Sequence, residues 1–335
     1  MADDPRPLVS VLVPVRDGES HLTACLDSLF RQTLGRIEIV VVDDGSMDET
    51  VPLLQAAARR DPRLRVLLQP PEGLVQALNR GLESCRAPLI ARMDADDLCA
   101  PDRLQLQLEH LNRHPETGLV SCRVAHLGDH TTAGYARHVD WLNSLISERE
   151  IRNGRFIDAP LAHPSVMFRR SVLDRHGGWR DGMFPEDHEL WLRWLDAGVR
   201  MEKLPQCLLC WRDSPERLSR RDPRYSAEAF AVLKLPWLLR ELERVRAGRV
   251  LISWGAGRES RKRLRGVLLD GWIEIHPGRV GQRILGAPVV HRDSLPAPDR
   301  AFVLLNVGRV GAREEIMPRL AAAGYRDGLD CLAIA

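Results

Sequence analysis

The chain has 335 residues, and its 44% hydrophobic and 28% charged content is that of a globular protein with room for two domains and a sizeable core. A formal net charge of +2, carried mostly by scattered arginines, offers no basic tract for a nucleic acid. No run of about 18 apolar residues occurs, and residues 1–7 lack the basic and apolar regions of a signal peptide, so the expected setting is the cytoplasm.

The first hundred residues alternate strand and helix. Val9-Ser10-Val11-Leu12-Val13-Pro14-Val15 is a short β-branched run, as a buried parallel strand should be. Residues 20–31 place Leu22, Leu26, Leu29 and Phe30 on one helical face. A second strand over 37–42 stops at Asp43-Asp44-Gly45-Ser46, which is turn chemistry, and Ser46 with Glu49 fits a capping box for a helix over 49–60. A strand over 64–68, a helix over 74–83 and a strand over 88–93 follow. Pro101 stands where a further helix opens. This rhythm predicts a mostly parallel sheet covered by helices. Ligands of such sheets bind beyond the carboxyl ends of the strands, where three polar motifs fall: Pro14 to Asp17, Asp43 to Ser46, and Asp94 to Asp97.

Residues 120–215 are less regular. A long helix over 223–246 is expected to connect to a second α/β rhythm. There, strands over 250–254, 272–275, 287–290 and 301–307 alternate with helices running to about 269 and over 314–323. The expected domains are therefore 1–220, a helical connector 221–247, and a small α/β domain 248–335. The seven cysteines are odd in number and lie in apolar segments, which is no disulfide framework. Cys207 and Cys210 form a CxxC without a second ligand pair, so they read as reduced strand residues.

Asp94, Asp96 and Asp97 repel one another unless a cation or several donors compensate. Hard cations such as Mg²⁺ favour carboxylates together with substrate phosphates; the same residues also fit a solvated turn with a helix cap. Asp43 and Asp44 suit a base N–H or ribose hydroxyls, or an Asx turn. Glu186 and Asp187 precede an apparent helix, so they read as a general base or as N-terminal carboxylates.

Together these pieces resemble family 2 glycosyltransferases of the GT-A fold. The likeness spans about residues 8–220. It is carried by Val9 to Arg16, Val41-Val42-Asp43-Asp44-Gly45-Ser46, Asn79 with Gly81-Leu82, and Ala91-Arg92-Met93-Asp94-Ala95-Asp96-Asp97 with Pro101-Asp102-Arg103-Leu104. His163-Pro164-Ser165-Val166 and Glu186-Asp187 before Leu190-Trp191-Leu192-Arg193 complete it. The resemblance implies a GT-A nucleotide-diphospho-sugar transferase that inverts the anomeric carbon. Its donor would be a nucleotide-sugar, a UDP-sugar first. Its acceptor would be a carbohydrate, a lipid-linked glycan or a protein, with peripheral membrane contact if lipid is involved.

By the same resemblance Pro14, Val15 and Arg16 line the base pocket, and Asp43, Asp44 and Asn79 bind substrate. Asp94 holds the ribose or metal, while Asp96 and Asp97 hold Mn²⁺ or Mg²⁺. Glu186 and His163 contact donor or acceptor, and Asp187 is the base. His163 also reads as a histidine satisfied within the fold. The chain departs from the family pattern in three places: Arg16-Asp17 replace a Tyr-Asn pair, Ala77-Leu78-Asn79 lacks a phosphate-binding arginine, and Asp213-Ser214 stands where a metal-binding histidine is frequent.

In the second domain Gly255-Ala256-Gly257-Arg258-Glu259-Ser260 resembles a dinucleotide fingerprint. The following strand is read as reaching His276, so no acidic ribose ligand is expected, and the domain is expected to be Rossmann-like without a bound dinucleotide. A nucleotidyltransferase and a non-catalytic nucleotide-sugar sensor are the alternatives to the transferase. The nucleotidyltransferase is disfavoured because Arg16-Asp17-Gly18-Glu19 is a poor phosphate loop.

Overall fold

The computed structural model describes residues 6–127, 133–214 and 217–335. The chain divides into two compact units, Met1–Ile151 with Pro160–Tyr225, and Arg152–Ala159 with Ser226–Ala335.

The first unit runs β1 (Val9–Val15), α1 (Leu22–Phe30), β2 (Ile37–Asp44), α2 (Thr50–Arg60), β3 (Leu64–Gln69), α3 (Leu74–Ser84), β4 (Leu89–Arg92), β5 (Leu98–Cys99), α4 (Arg103–Arg113), β6 (Thr117–Leu127), α5 (Ala133–Ser144) and α6 (Glu148–Gly154), whose last turn belongs to the second unit. After a 3₁₀ turn at His163–Ser165 come β7 (Met167–Arg169), α7 (Arg170–His176), α8 (Glu186–Asp196), β8 (Arg200–Arg212) and the short α9 (Leu218–Arg221). The sheet order is β3-β2-β1-β4-β7-β6-β8-β5. β3, β2, β1 and β4 are mutually parallel, and β7 is antiparallel to β4 and β6. Every residue of β1 and β2 is buried, as the valine and isoleucine runs require.

α3 lies close on β1 and β2 because Gly81 has no side chain. A Cβ there would stand 2.1 Å from Leu12 Cδ1 and 3.0 Å from Val42 Cγ2. The buried Glu38 of β2 accepts Ser10 Oγ at 2.6 Å and the Arg86 backbone N–H at 2.6 Å, and ion-pairs with Arg65 and Arg86 at 3.0 and 2.9 Å.

The capping box expected at Ser46 and Glu49 does not form. Ser46 Oγ instead accepts the Asp17 N–H at 2.8 Å, and Asp48 Oδ1 accepts the N–H of Thr50, where α2 begins. The β2–α2 turn is tied to the neighbouring loop rather than folded on its own helix.

The second unit contains α10 (Ala227–Val245), β9 (Val250–Trp254), α11 (Arg258–Arg263), β10 (Gly271–Glu274), β11 (Arg283–Ile284), β12 (Ala287–His291), β13 (Ala301–Leu305), α12 (Ala312–Ala322) and β14 (Cys331–Ala333). Its sheet order is β11-β12-β10-β9-β13-β14, parallel except for β11. α10 starts where Ser226 Oγ accepts the Ala229 N–H at 3.2 Å. The helix lies within this unit, where the Lys234 ammonium donates to the carbonyls of Phe156 and Ile157, both at 2.9 Å, and Arg155 pairs with Glu241 at 3.0 Å.

Two expectations for this unit change. The helix after the glycine turn stops at Arg263, not near 269, and Gly266 then takes φ +87°. β10 ends at Glu274, an acidic residue at the strand end, and its carboxylate accepts Arg279 at 3.2 Å and the Ile275 N–H at 2.9 Å. The fingerprint glycine serves packing: at Gly255 (φ +116°) a Cβ would stand 2.6 Å from the Asn306 carbonyl oxygen. Ser260 and Asn306 bond reciprocally, Oγ to backbone carbonyl at 2.6 Å and Nδ2 to backbone carbonyl at 2.8 Å.

All seven cysteines are free. No helix among the described residues is long and apolar enough to cross a membrane.

Burial works against the Glu38 carboxylate, but hydrogen bonds from Ser10, the Arg86 N–H and the two guanidiniums outweigh it and hold the carboxyl below its usual range. A depressed folded value stabilises the fold above the unfolded carboxylate range and is lost as pH falls toward the folded value. Glu38→Gln is therefore expected to cost about 1–3 kcal/mol at pH 7, and the difference from wild type should shrink below about pH 4. Urea denaturation at the two pH values checks both.

Candidate functional site

The carboxyl ends of β2, β1 and β4 lie side by side. The loops after β1 and β2 are laced together. Asp17, a non-glycine residue at φ +49°, donates its N–H to Ser46 Oγ and accepts the Met47 N–H at 2.8 Å, while the Gly18 N–H reaches Thr50 Oγ1 at 2.8 Å. Such a backbone conformation costs energy and persists where the surroundings over-determine it. Pro14 and Val15 are buried in β1, and Arg16 is exposed at its end.

Asp43 and Asp44 have different occupations. Asp44 is spent on the fold: it accepts Gln69 Nε2 at 2.7 Å, the Glu72 N–H at 2.8 Å and the Gly73 N–H at 2.9 Å. Asp43 accepts the Ser46 N–H at 3.2 Å through Oδ2, and its Oδ1 is buried with no protein partner. A buried carboxylate oxygen left open is an acceptor waiting for a donor. Gly45, between Asp44 and Ser46, takes φ +71° against Pro71, which a Cβ would meet at 2.8 Å.

One strand over, the chain leaves β4 through Arg92 and Met93. The carboxylates of Asp94, Asp96 and Asp97 each offer an oxygen, and the three oxygens lie within 4.8 Å of one another. Asp97 is fully buried; its Oδ1 accepts the Arg212 backbone N–H at 2.7 Å and its Oδ2 has no partner. The Asp96 carbonyl accepts Arg212 Nε at 3.0 Å. Burial, then the charge of Asp94, raises the Asp96 carboxyl to about 6 and drives that of Asp97 well above the usual range. Three close carboxylates with an open buried oxygen fit a divalent cation, which would relieve this repulsion.

The Arg92 guanidinium is 3% exposed and pairs with Asp94 at 2.6 Å, and its charge also acts on Glu186. Arg103 Nη2 holds the Arg92 carbonyl at 2.9 Å, and Gln107 holds the Ser165 carbonyl at 2.8 Å. Beside Arg92, Glu186 accepts the Tyr225 hydroxyl at 2.6 Å and stands 3.7 Å from His163 Nδ1. Burial, reinforced by the Arg92 charge, pushes His163 well below its ordinary value, so it is neutral. Its ring lies 5.4 Å from that of Trp179 and 6.0 Å from that of Trp191. Burial also raises the Glu186 carboxyl, against the Tyr225 hydrogen bond.

Asp187 is half-buried in the first turn of α8 and accepts the His188 N–H at 2.7 Å. Asn79 donates to the Trp179 carbonyl at 2.9 Å.

The sequence reading missed Arg92, Arg212, Arg217 and Tyr225. Arg92 carried a signal, since an arginine inside an apolar strand must find buried partners. Tyr225 lies far along the chain from Glu186, as Arg217 does from Tyr135, and neither carried one. Asp213, in the expected histidine region, is bound by Arg220 at 2.5 Å.

Residues 10–177 match the model described as glycosyl transferase family 2. The amylovoran biosynthesis glycosyltransferase AmsE of Erwinia amylovora is 33% identical over 220 residues, covering 64% of this chain and 79% of that protein. The UDP-Gal:alpha-D-GlcNAc-diphosphoundecaprenol beta-1,3-galactosyltransferase of Escherichia coli is 27% identical over 227 residues, 66% of this chain and 79% of the relative. Among solved structures, S. aureus TarS 1-349 in complex with UDP-GlcNAc superposes with a TM-score of 0.55 at 17% identity, over 70% of this chain and 66% of that one. The mannosyltransferase PcManGT from Pyrobaculum calidifontis, in complex with GDP-Man and Mn²⁺, gives 0.50 at 22% identity, over 74% and 67%. At these identities the structures share the fold.

Arg92→Leu is expected to leave Asp94 and Glu186 without their buried counter-charge and to destabilise the protein by about 3 kcal/mol or more. A chemical denaturation curve of the full chain measures the loss.

Proposed function

The chain belongs to glycosyl transferase family 2 and is a glycosyltransferase of the GT-A fold with a second α/β unit, and we propose that it transfers a sugar, with inversion, from a nucleoside-diphosphate sugar to an acceptor hydroxyl. The observation that carries this reading is the pairing, on adjacent strands, of an open buried acceptor at Asp43 with the three-carboxylate cluster of Asp94, Asp96 and Asp97. One suits an N–H of a nucleobase, and the other suits the diphosphate through a divalent cation. The names of relatives that use UDP-Gal or bind UDP-GlcNAc favour uridine as the base.

Asp43 Oδ1 takes the base N–H. Pro14, Val15 and Arg16 flank the base, while Asp44 keeps the turn that presents Asp43. Asp94, Asp96 and Asp97 would hold Mn²⁺ or Mg²⁺, which when bound would supply positive charge to the diphosphate leaving group. Asp187 removes the proton of the acceptor hydroxyl as its oxygen attacks the anomeric carbon from the face opposite the diphosphate. Glu186 and neutral His163 shape the floor beside Asp187, with Glu186 fixed by Tyr225 and Asn79 supporting Trp179. The relatives point to a glycan or lipid-linked acceptor; a lipid-linked acceptor would require contact at a membrane surface.

Asp187→Asn should retain donor binding and lose about 10²–10⁴ in turnover; near-wild-type transfer would remove Asp187 from the role of base. In the same assay the wild type should release a free nucleoside diphosphate, not pyrophosphate. Asp96→Ala should abolish the Mn²⁺ dependence of nucleotide binding in calorimetry. Asp43→Ala should weaken nucleotide binding about 10-fold or more, a loss consistent with one charge-assisted hydrogen bond.

A further inference from the structure

Arg217 is a cation near the aspartate cluster that the reaction scheme above does not use. It lies just before α9, with its side chain 16% exposed. The guanidinium packs over the Trp211 ring at 4.5 Å and the Tyr135 ring at 5.6 Å, and its Nη1 donates to Tyr135 Oη at 3.1 Å. Asp213 stands 3.9 Å away, but its carboxylate is already taken by Arg220 at 2.5 and 2.7 Å. Two arginines share that one carboxylate, so the group keeps a net positive charge. A guanidinium has five N–H donors, and among the described residues Arg217 uses one side-chain donor, to Tyr135. It is packed on Trp211, the neighbour of Arg212, whose N–H meets Asp97 Oδ1 at 2.7 Å, and this brings its charge to bear on the aspartate carboxylates.

The charge count around the cluster asks for such a group. Three carboxylates less the Arg92 guanidinium leave about two negative charges, which one divalent cation balances. A diphosphate then brings its own charge, and gains one more when the bond from the anomeric carbon to the β-phosphate oxygen breaks and its electron pair stays on the phosphate. The new bond forms from the acceptor oxygen to that carbon, and the proton goes to Asp187. A rigid cation with free donors at that point stabilises the leaving group.

We propose that Arg217, braced by Trp211 and Tyr135, grips the β-phosphate of the donor and of the departing nucleoside diphosphate. This rests on the nucleotide-sugar reading of the site.

The test compares nucleoside diphosphate and monophosphate binding to the full chain by calorimetry with Mn²⁺, using UDP against UMP and GDP against GMP. Wild type should bind one diphosphate more tightly than its monophosphate. Arg217→Gln should weaken the diphosphate about 10- to 30-fold and leave the monophosphate unchanged, with Arg217→Lys in between. Tyr135→Phe, which keeps the ring and removes the brace, should weaken the diphosphate a few-fold and serves if Arg217→Gln does not fold. A diphosphate-to-monophosphate ratio unchanged in these variants overturns the role of Arg217 and leaves the reaction standing. A wild type that binds no nucleoside diphosphate overturns both.

Discussion

The Arg92 guanidinium sits almost wholly out of water at the end of β4. A charge at that depth is tolerated only with partners, because desolvation alone costs several kcal/mol. Its partners are Asp94 and, through space, Glu186. One group belongs to the loop that follows a parallel strand, the other to the first turn of α8. Asp94 is partly exposed and meets the guanidinium directly, while Glu186 is almost wholly buried. Burial, reinforced by the charge of the same guanidinium, holds His163 well below its ordinary value. Arg92 thus sets the charge of the floor on which two distant stretches of chain meet, and Arg103 secures it from below through the Arg92 carbonyl.

Around that floor the loops are fixed by one another more than by their own helices. Asp17 adopts a left-handed backbone and is held by Ser46 and Met47. Asp44 ties three partners to the β2 turn, which frees Asp43 to present an oxygen. Neighbouring aspartates of the same type therefore differ completely in availability. Pre-organised acceptors of this kind suit recognition, because little has to be rearranged when a ligand arrives.

Much of this was legible in the chain. The β-branched runs placed β1 and β2, and the strand-end aspartates pointed to one edge of the sheet. The division of labour between Asp43 and Asp44 was not legible, since it depends on Gln69, Glu72 and Gly73 arriving from another loop. Ser46 and Glu49 matched a capping box in spacing, yet a stronger long-range partner, Asp17, took the hydroxyl. In the second unit the strand boundary at Glu274 and the early end of α11 at Arg263 escaped the reading, because short elements ending on polar residues and glycine leave little periodicity. Local pattern was a good guide to elements and a poor one to which of two adjacent side chains is already occupied.

The excursion of residues 152–159 has a consequence for how the polypeptide is made. The chain passes from one compact unit to the other three times, at 151–152, 159–160 and 225–226. As the ribosome delivers the chain, the Phe156 and Ile157 carbonyls emerge long before Lys234, the residue that binds them. These two carbonyls must wait for that partner while nearly 80 more residues are synthesised. The C-terminal unit is accordingly not a module that can be clipped off or grafted elsewhere at a single junction. A shortened gene ending near residue 225 would leave residues 152–159, the last turn of α6 among them, without the unit they pack in, and an isolated 226–335 fragment would lack part of its own interior.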